Sequence, residues 1–207
     1  MLQILWERHL EGPTVLDLWH GPQHGAAMAQ IIYADRLIVA LVAVFLAHQS
    51  SHYLDEIRGH PWNTKIPNRI LYALGLSFLA ISVIAGLYLL ITVSSLLILF
   101  FIPLIFFPVT YSMELWGGRF HKPWSFGISG GLVCLGSYFL QTLTITLAPI
   151  LMSVAIGIQS TFIIILYEST KREGTRELAW QTLKGIILIW IFIAIAMLLL
   201  GGHLVGV

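Results

Sequence analysis

The chain has 207 residues, of which 57% are hydrophobic and only 10% are charged. An average soluble domain carries about 25% charged residues, so this composition indicates an integral membrane protein and excludes an ordinary soluble domain. A net charge of +1 gives no reason to expect a nucleic-acid partner. The single cysteine, Cys134, excludes a disulfide framework.

The first 30 residues carry acidic side chains and no long apolar core, so they do not resemble a cleaved signal peptide. Tryptophans and histidines are scattered among their apolar residues. We interpret residues 1–30 as an interfacial segment on the outer face of the membrane. Residues 31–207 then form the transmembrane domain.

The rest of the chain has room for six transmembrane helices of about 20 residues each. A first helix runs from about Asp35 to Leu54. Two uncharged runs follow, residues 70–113 and 123–167, and each is long enough for two helices. A third uncharged run, from Gly185 to the C-terminus, provides the sixth helix. Turns at residues 92–95 and 145–149 divide the two longer runs. The expected fold is an all-α integral membrane protein with six transmembrane helices arranged as helical hairpins.

The basic residues of the loops are distributed unequally between the two sides. The first, third and fifth loops hold nine of them, and the second and fourth hold none: Arg58, Lys65, Arg69, Arg119, Lys122, Lys171, Arg172, Arg176 and Lys184. The positive-inside rule therefore places the basic loops in the cytoplasm. The sequence thus predicts a multi-pass protein of the cell membrane with its N-terminus and C-terminus outside.

Two of the basic loops begin with similar sequences. "YLDEIRG" starts at Tyr53 and "YSMELWG" starts at Tyr111, and each is followed by a histidine and a Pro-Trp pair. A weaker third copy, "YESTKREG", starts at Tyr167. We interpret the first two copies as a duplication of a unit made of one helix, a polar loop and a second helix. Tyrosines at the membrane interface followed by loop acids would explain part of the similarity without a duplication.

The first copy ends a helix with a stripe of ionisable residues. His48, His52, Asp55 and Glu56 share one helical face. Ionisable groups at membrane depth usually face the interior of a bundle and are functional or paired. Near the interface they are also explained as solvated residues at a helix end.

If the two similar units pack side by side, three carboxylates meet at one cytoplasmic mouth. Asp55, Glu56 and Glu114 are candidate ligands of Mg²⁺. The surrounding basic residues are candidates for binding the phosphate groups of a substrate: Arg58, Lys65, Arg119 and Lys122. Alternatively, His48 and His52 with Glu114 and His121 offer ligands for zinc or non-haem iron, although a lone pair of histidines at this spacing is a weak signal.

The stretch "AHQSSHYLDEIRGHPWNTKIPNRIL" resembles the first acidic motif of the UbiA-type membrane prenyltransferase superfamily. The resemblance covers about residues 35–125. It implies a helical bundle with a cytoplasmic site that binds the diphosphate of a prenyl donor through Mg²⁺. By position, His52 with Asp55 and Glu56 corresponds to the first motif of the family, and Glu114 corresponds to part of the second. That family usually has about nine helices and more aspartates than this chain provides.

The sequence thus predicts a UbiA-like protein that acts on an isoprenoid or another membrane lipid. In a metal-dependent transferase of this kind, His52 or His121 would serve as the catalytic acid or base. The alternative is a non-catalytic accessory or structural subunit of a larger membrane complex, with other membrane subunits as partners. A transporter is a third interpretation, which the scarcity of deep ionisable residues disfavours.

Overall fold

The computed structural model describes Ala26, Ala29 and residues 31–59, 65–170, 174–177, 179–186 and 203–205. The interfacial segment predicted for residues 1–30 and the sixth helix predicted from Gly185 lie almost entirely outside this part of the chain. The statements that follow apply to the described residues.

Five long helices make up most of the described structure. They are α1 (Ala34–Gly59), α2 (Asn68–Thr92), α3 (Ile98–Ser112), α4 (Pro123–Thr142) and α5 (Leu147–Thr170). A 3-10 helix at Ser95–Leu97 precedes α3, and a four-residue helical turn at Leu115–Gly118 follows it. Strand β1 (Ile31–Tyr33) pairs in parallel with β2 (His203–Val205). The predicted all-helical architecture is therefore confirmed for this part of the chain.

Four segments are long and apolar enough to cross a membrane: Ala34–Ile57, Asn68–Thr92, Ser95–Ser112 and Leu147–Tyr167. Helix α4 has 20 residues, enough to span about 30 Å at 1.5 Å per residue. It is less apolar because glycines and serines replace large aliphatic residues along much of its length. Twelve of its residues are buried, against four in α2, so α4 lies inside the bundle and α2 lies near its outside.

The bundle consists of two closely packed helix pairs, α1 with α2 and α4 with α5, which α3 joins by contacting α1 and α4. At the α4–α5 contact the backbones nearly touch. A Cβ atom added at Gly157 would lie 2.8 Å from the carbonyl oxygen of Gly127, and one added at Gly131 would lie 2.8 Å from that of Ser153. Small residues are typical of such close approaches between membrane helices.

The short connections between helices follow the predicted turns. Helix α2 ends at Thr92, and the Ser94 hydroxyl accepts a hydrogen bond from the Leu96 amide at the start of the next helical segment. Helix α4 ends at Thr142, and α5 begins at Leu147. The turn expected at residues 92–95 is therefore present, whereas the one expected at residues 145–149 lies slightly earlier, at residues 143–146, because α5 already begins at Leu147.

Polar contacts join β1 and the start of α1 to the end of α4. The Tyr33 amide donates to Gln141 Oε1 at 2.7 Å, and the Arg36 guanidinium donates to the Leu140 carbonyl at 3.1 Å. Arg36 also lies 4.1 Å from the centre of the Tyr33 ring. The buried side chain of Gln141, which is only 4% exposed, thus provides the hydrogen-bond acceptor for the Tyr33 backbone amide.

We expect the substitution Gln141→Leu to lower the free energy of unfolding by about 1–3 kcal/mol, because it leaves the Tyr33 amide without its acceptor. Thermal unfolding in detergent micelles measures the loss. Gln159→Leu is the matched control, since the Gln159 side chain makes no hydrogen bond within the described part of the chain. Equal destabilisation by the two substitutions would contradict this role of Gln141.

Candidate functional site: a histidine pair beside an apolar cavity

The polar stripe of α1 is buried in the bundle. His48, His52 and Glu56 are 3%, 8% and 2% exposed, and Asp55 is half-buried. Three ionisable residues spaced by four thus face the same side of α1, as the helical period predicts. Their burial excludes the interpretation that all of them are solvated residues at a helix end. Helix α1 continues to Gly59, several residues beyond the predicted end at Leu54.

His48 and His52 form a hydrogen-bonded pair. Their Nε2 atoms lie 2.8 Å apart, and the rings meet edge to face with centroids separated by 4.3 Å. One Nε2 must donate and the other must accept, so the two rings cannot both be doubly protonated in this arrangement. We call these two residues the histidine pair.

One aromatic ring connects the His48 region of α1 to the second of the two similar motifs. The ring of Phe126, in the first turns of α4, contacts both His48 and Tyr111, with centroid distances of 6.5 and 6.1 Å. Tyr111 in turn stacks on His121 at 4.3 Å. The part of α1 around His48, the end of α3 and the start of α4 therefore lie close together. We call this part of the bundle, with the exposed Arg119 and Lys122 between α3 and α4, the basic end.

The two motifs have different backbone conformations despite their similar sequences. Residues 53–59 continue α1, whereas α3 ends at Ser112 and the chain turns left-handed at Glu114, Trp116, Gly117 and Gly118. The Nδ1 atom of His121 donates to the Tyr111 carbonyl at 3.0 Å and closes this turn. His121 therefore has a structural role in the connection between α3 and α4.

The predicted ligands of metal and phosphate differ in their exposure. Glu56 is buried in α1, whereas Glu114 is exposed in the left-handed turn. Lys65, Arg119 and Lys122 are exposed, and the side chain of Arg58 lies outside the described residues. Within the described ranges, no group of three or more histidine, cysteine, aspartate or glutamate side chains is placed to hold a metal ion. Mg²⁺ binding by Asp55, Glu56 and Glu114 stays a prediction, and we derive no metal-dependent step.

A cavity of about 120 Å³ lies beside the histidine pair, between α1, α2, α3 and α4. Its wall contains 19 residues, of which only His48, Ser82, Ser129 and Ser137 are polar and none is aspartate, glutamate, lysine or arginine. On α1 the wall runs from Ala40 to His48, which is about 12 Å at 1.5 Å per residue. The cavity is thus a narrow apolar space that reaches His48 at the basic end.

Small residues on two helices leave this space open. Ala40, Ala43 and Ala47 lie on one face of α1, and Gly136 of α4 contacts the wall residue Phe100. The ionisable residues at the end of α1, on which the sequence prediction is based, do not indicate this cavity. The signal that could have revealed it is the spacing of these alanines at three and four residues immediately before His48.

In the part of the chain that the structure describes, the fold and this site define a helical protein with four helices that could span a membrane and an apolar cavity bounded at one end by a histidine. Comparisons with protein-family models, with curated proteins and with solved structures give no match to this chain.

We expect the histidine pair to contribute a measurable coupling energy to stability. A double-mutant cycle with His48→Leu and His52→Leu, followed by denaturant titration in micelles, should give a coupling of about 0.5–3 kcal/mol, as for residues in one hydrogen-bond network. His48→Leu combined with Lys65→Gln, an exposed position, serves as the additive control. A coupling for the histidines no larger than in this control would show that the pair does not form.

Proposed function

We propose that this chain is a multi-pass protein of the cell membrane that binds the hydrocarbon chain of an isoprenoid or another membrane lipid in its internal cavity. The proposal includes six membrane spans, both termini outside and the basic end in the cytoplasm. The unequal distribution of basic residues supports this orientation. The four apolar helices support a membrane location.

The observation that carries the proposal is the cavity itself. It is apolar along its length, extends over about two turns of α1 and lies among helices whose outer faces are rich in exposed aliphatic residues. For comparison, an engineered apolar cavity of about 150 Å³ stays dry and binds benzene. A cavity of similar size in a membrane bundle can accept one segment of a lipid chain, with the rest of the chain extending between the helices.

The arrangement at the basic end supports a ligand whose polar part lies near the histidine pair. His48 is part of the cavity wall and is bonded to His52, and Glu56 follows one turn later on the same face. A polar ligand group at this position would leave its chain among apolar side chains. If the protein is an enzyme, we propose that it is a transferase that acts on the lipid bound in this cavity.

Photolabelling tests the proposal. The protein, reconstituted in nanodiscs, is incubated with a farnesol analogue that carries a diazirine on its chain, and adducts are located by peptide mass spectrometry after irradiation. We expect adducts on cavity residues of α1, α3 and α4. Adducts confined to outward-facing residues such as Ile91 and Leu151, which are 79% and 60% exposed, would overturn the proposal and favour the accessory-subunit alternative.

A further inference from the structure

The serine hydroxyls of the cavity wall all donate their protons to backbone carbonyls. Ser82 donates to Ala43 at 2.7 Å, Ser129 donates to Ser125 at 3.1 Å, and Ser137 donates to Val133 at 2.7 Å. A carbonyl oxygen can only accept, so the direction of each bond is fixed by chemistry. A hydroxyl that has donated its proton keeps lone pairs with which it can accept.

The serines therefore bring hydrogen-bond acceptors to the wall, in which His48 is the one other polar side chain. They line the cavity and are 5–7% exposed, so they are shielded from bulk solvent. Ser82 bonds to Ala43 on α1, which places it about one turn from His48, and Ser129 lies closer to the basic end of α4 than Ser137 does. Ser82 and Ser129 are thus the acceptors nearest the histidine end of the cavity.

The wall also lacks aspartate, glutamate, lysine and arginine side chains. A phosphate or carboxylate placed there would lose its hydration without gaining a lysine or arginine partner, which is unfavourable in an apolar environment. Lys65, Arg119 and Lys122 are exposed and do not line the cavity. An uncharged ligand group that donates a hydrogen bond to these serines matches this wall better than a charged group.

We infer that the cavity selects an uncharged lipid alcohol, whose hydroxyl donates a hydrogen bond to Ser82 or Ser129 while its chain lies along α1 and α4. This inference rests on the proposed function and adds to it the chemical class of the ligand head. Binding is reversible and involves no covalent step.

Competition binding in nanodiscs tests the inference. Radiolabelled farnesol bound to the full chain, corrected for empty nanodiscs, is displaced by unlabelled farnesol, by farnesyl methyl ether and by farnesyl phosphate. The ether keeps the chain and the oxygen but has no proton to donate. We expect farnesol to bind about three- to tenfold more tightly than the ether, which is the range for one net hydrogen bond. The phosphate should bind more weakly than farnesol.

Serine variants connect this preference to the wall. Ser82→Ala combined with Ser129→Ala should reduce the affinity for farnesol to that for the ether and leave the ether unchanged. Ser153→Ala is the matched control, because Ser153 is also buried and donates to the carbonyl four residues before it, at Pro149, but does not line the cavity. This control should retain the full preference for the alcohol.

The outcomes distinguish the binding of the lipid chain from the preference for an alcohol head group. Equal affinities for the alcohol and the ether, tighter binding of the phosphate, or a preference that survives in the double serine variant would overturn the inference while leaving chain binding intact. A complete absence of specific farnesol binding by the wild-type protein would overturn both the inference and the proposed function.

Discussion

Replacing Ala43 by phenylalanine is expected to abolish the binding of farnesol to the protein in nanodiscs. Ala43 is a wall residue of α1, and its side chain stands where the cavity is bounded by small groups. A phenyl ring added there occupies much of a space of about 120 Å³ and leaves no room for a ligand chain. Because the ring enters an existing cavity, it removes a void instead of displacing packed atoms, so the fold should be retained.

Val42→Phe is the matched control for this substitution. Val42 is the preceding residue of the same helix and is 47% exposed, so the same new side chain points away from the cavity. Saturation binding of radiolabelled farnesol should show wild-type affinity for Val42→Phe and at least a tenfold loss for Ala43→Phe, equivalent to about 1.4 kcal/mol or more. Thermal unfolding of both variants verifies that they are folded. Undiminished binding by a folded Ala43→Phe variant would contradict the location of the ligand.

Replacing Gly157 by leucine is expected to separate α4 from α5 and unfold this half of the bundle. A Cβ atom at this position would already lie 2.8 Å from the Gly127 carbonyl and 3.8 Å from the Cα atom of Gly131. The obstacle is backbone, which cannot move aside as a flexible side chain can. We therefore expect a loss at or above the usual range of about 1–3 kcal/mol for overpacking.

A graded series keeps this prediction testable if the leucine variant does not fold. Gly157→Ala should be destabilised by less than Gly157→Leu, and Ile158→Leu should be close to wild type, since Ile158 is 54% exposed on the next position of α5. Size-exclusion profiles and thermal unfolding in detergent give the order of stability. Wild-type stability of Gly157→Leu would show that α4 and α5 do not approach as closely as the structure has them.

The helices of the fold could be predicted from the sequence because each one repeats a simple physical pattern. Long uncharged runs predict the long helices up to Tyr167, four of which are apolar enough to cross a membrane within the described residues. Ser94 marks the turn before α3, and the turn before α5 lies at residues 143–146. The duplication was a less reliable guide to the backbone. "YLDEIRG" is helical, whereas in "YSMELWG" the helix α3 ends at Ser112 and two glycines permit the left-handed turn that follows.

The candidate site could be predicted only in part. The spacing of His48, His52 and Glu56 sufficed to place them on one face, and that face is buried. Their partners depend on tertiary structure: the contact of Phe126 with both His48 and Tyr111 joins residues from three helices. The cavity likewise results from small residues on different helices that become neighbours only when α1, α2, α3 and α4 pack together. The alanine spacing within α1 indicates a small-residue face, but not which residues of α2, α3 and α4 lie opposite it.

The most direct measurement of the central claim is the position of a bound ligand in an experimental structure. Crystals of the full chain grown with a bromine-labelled farnesol analogue give an anomalous signal from the bromine. The account predicts that this signal lies among α1, α3 and α4, with the ligand hydroxyl beside Ser82 or Ser129 at the His48 end of the cavity. Bromine signals found only on the outer faces of α2 and α5 would contradict it.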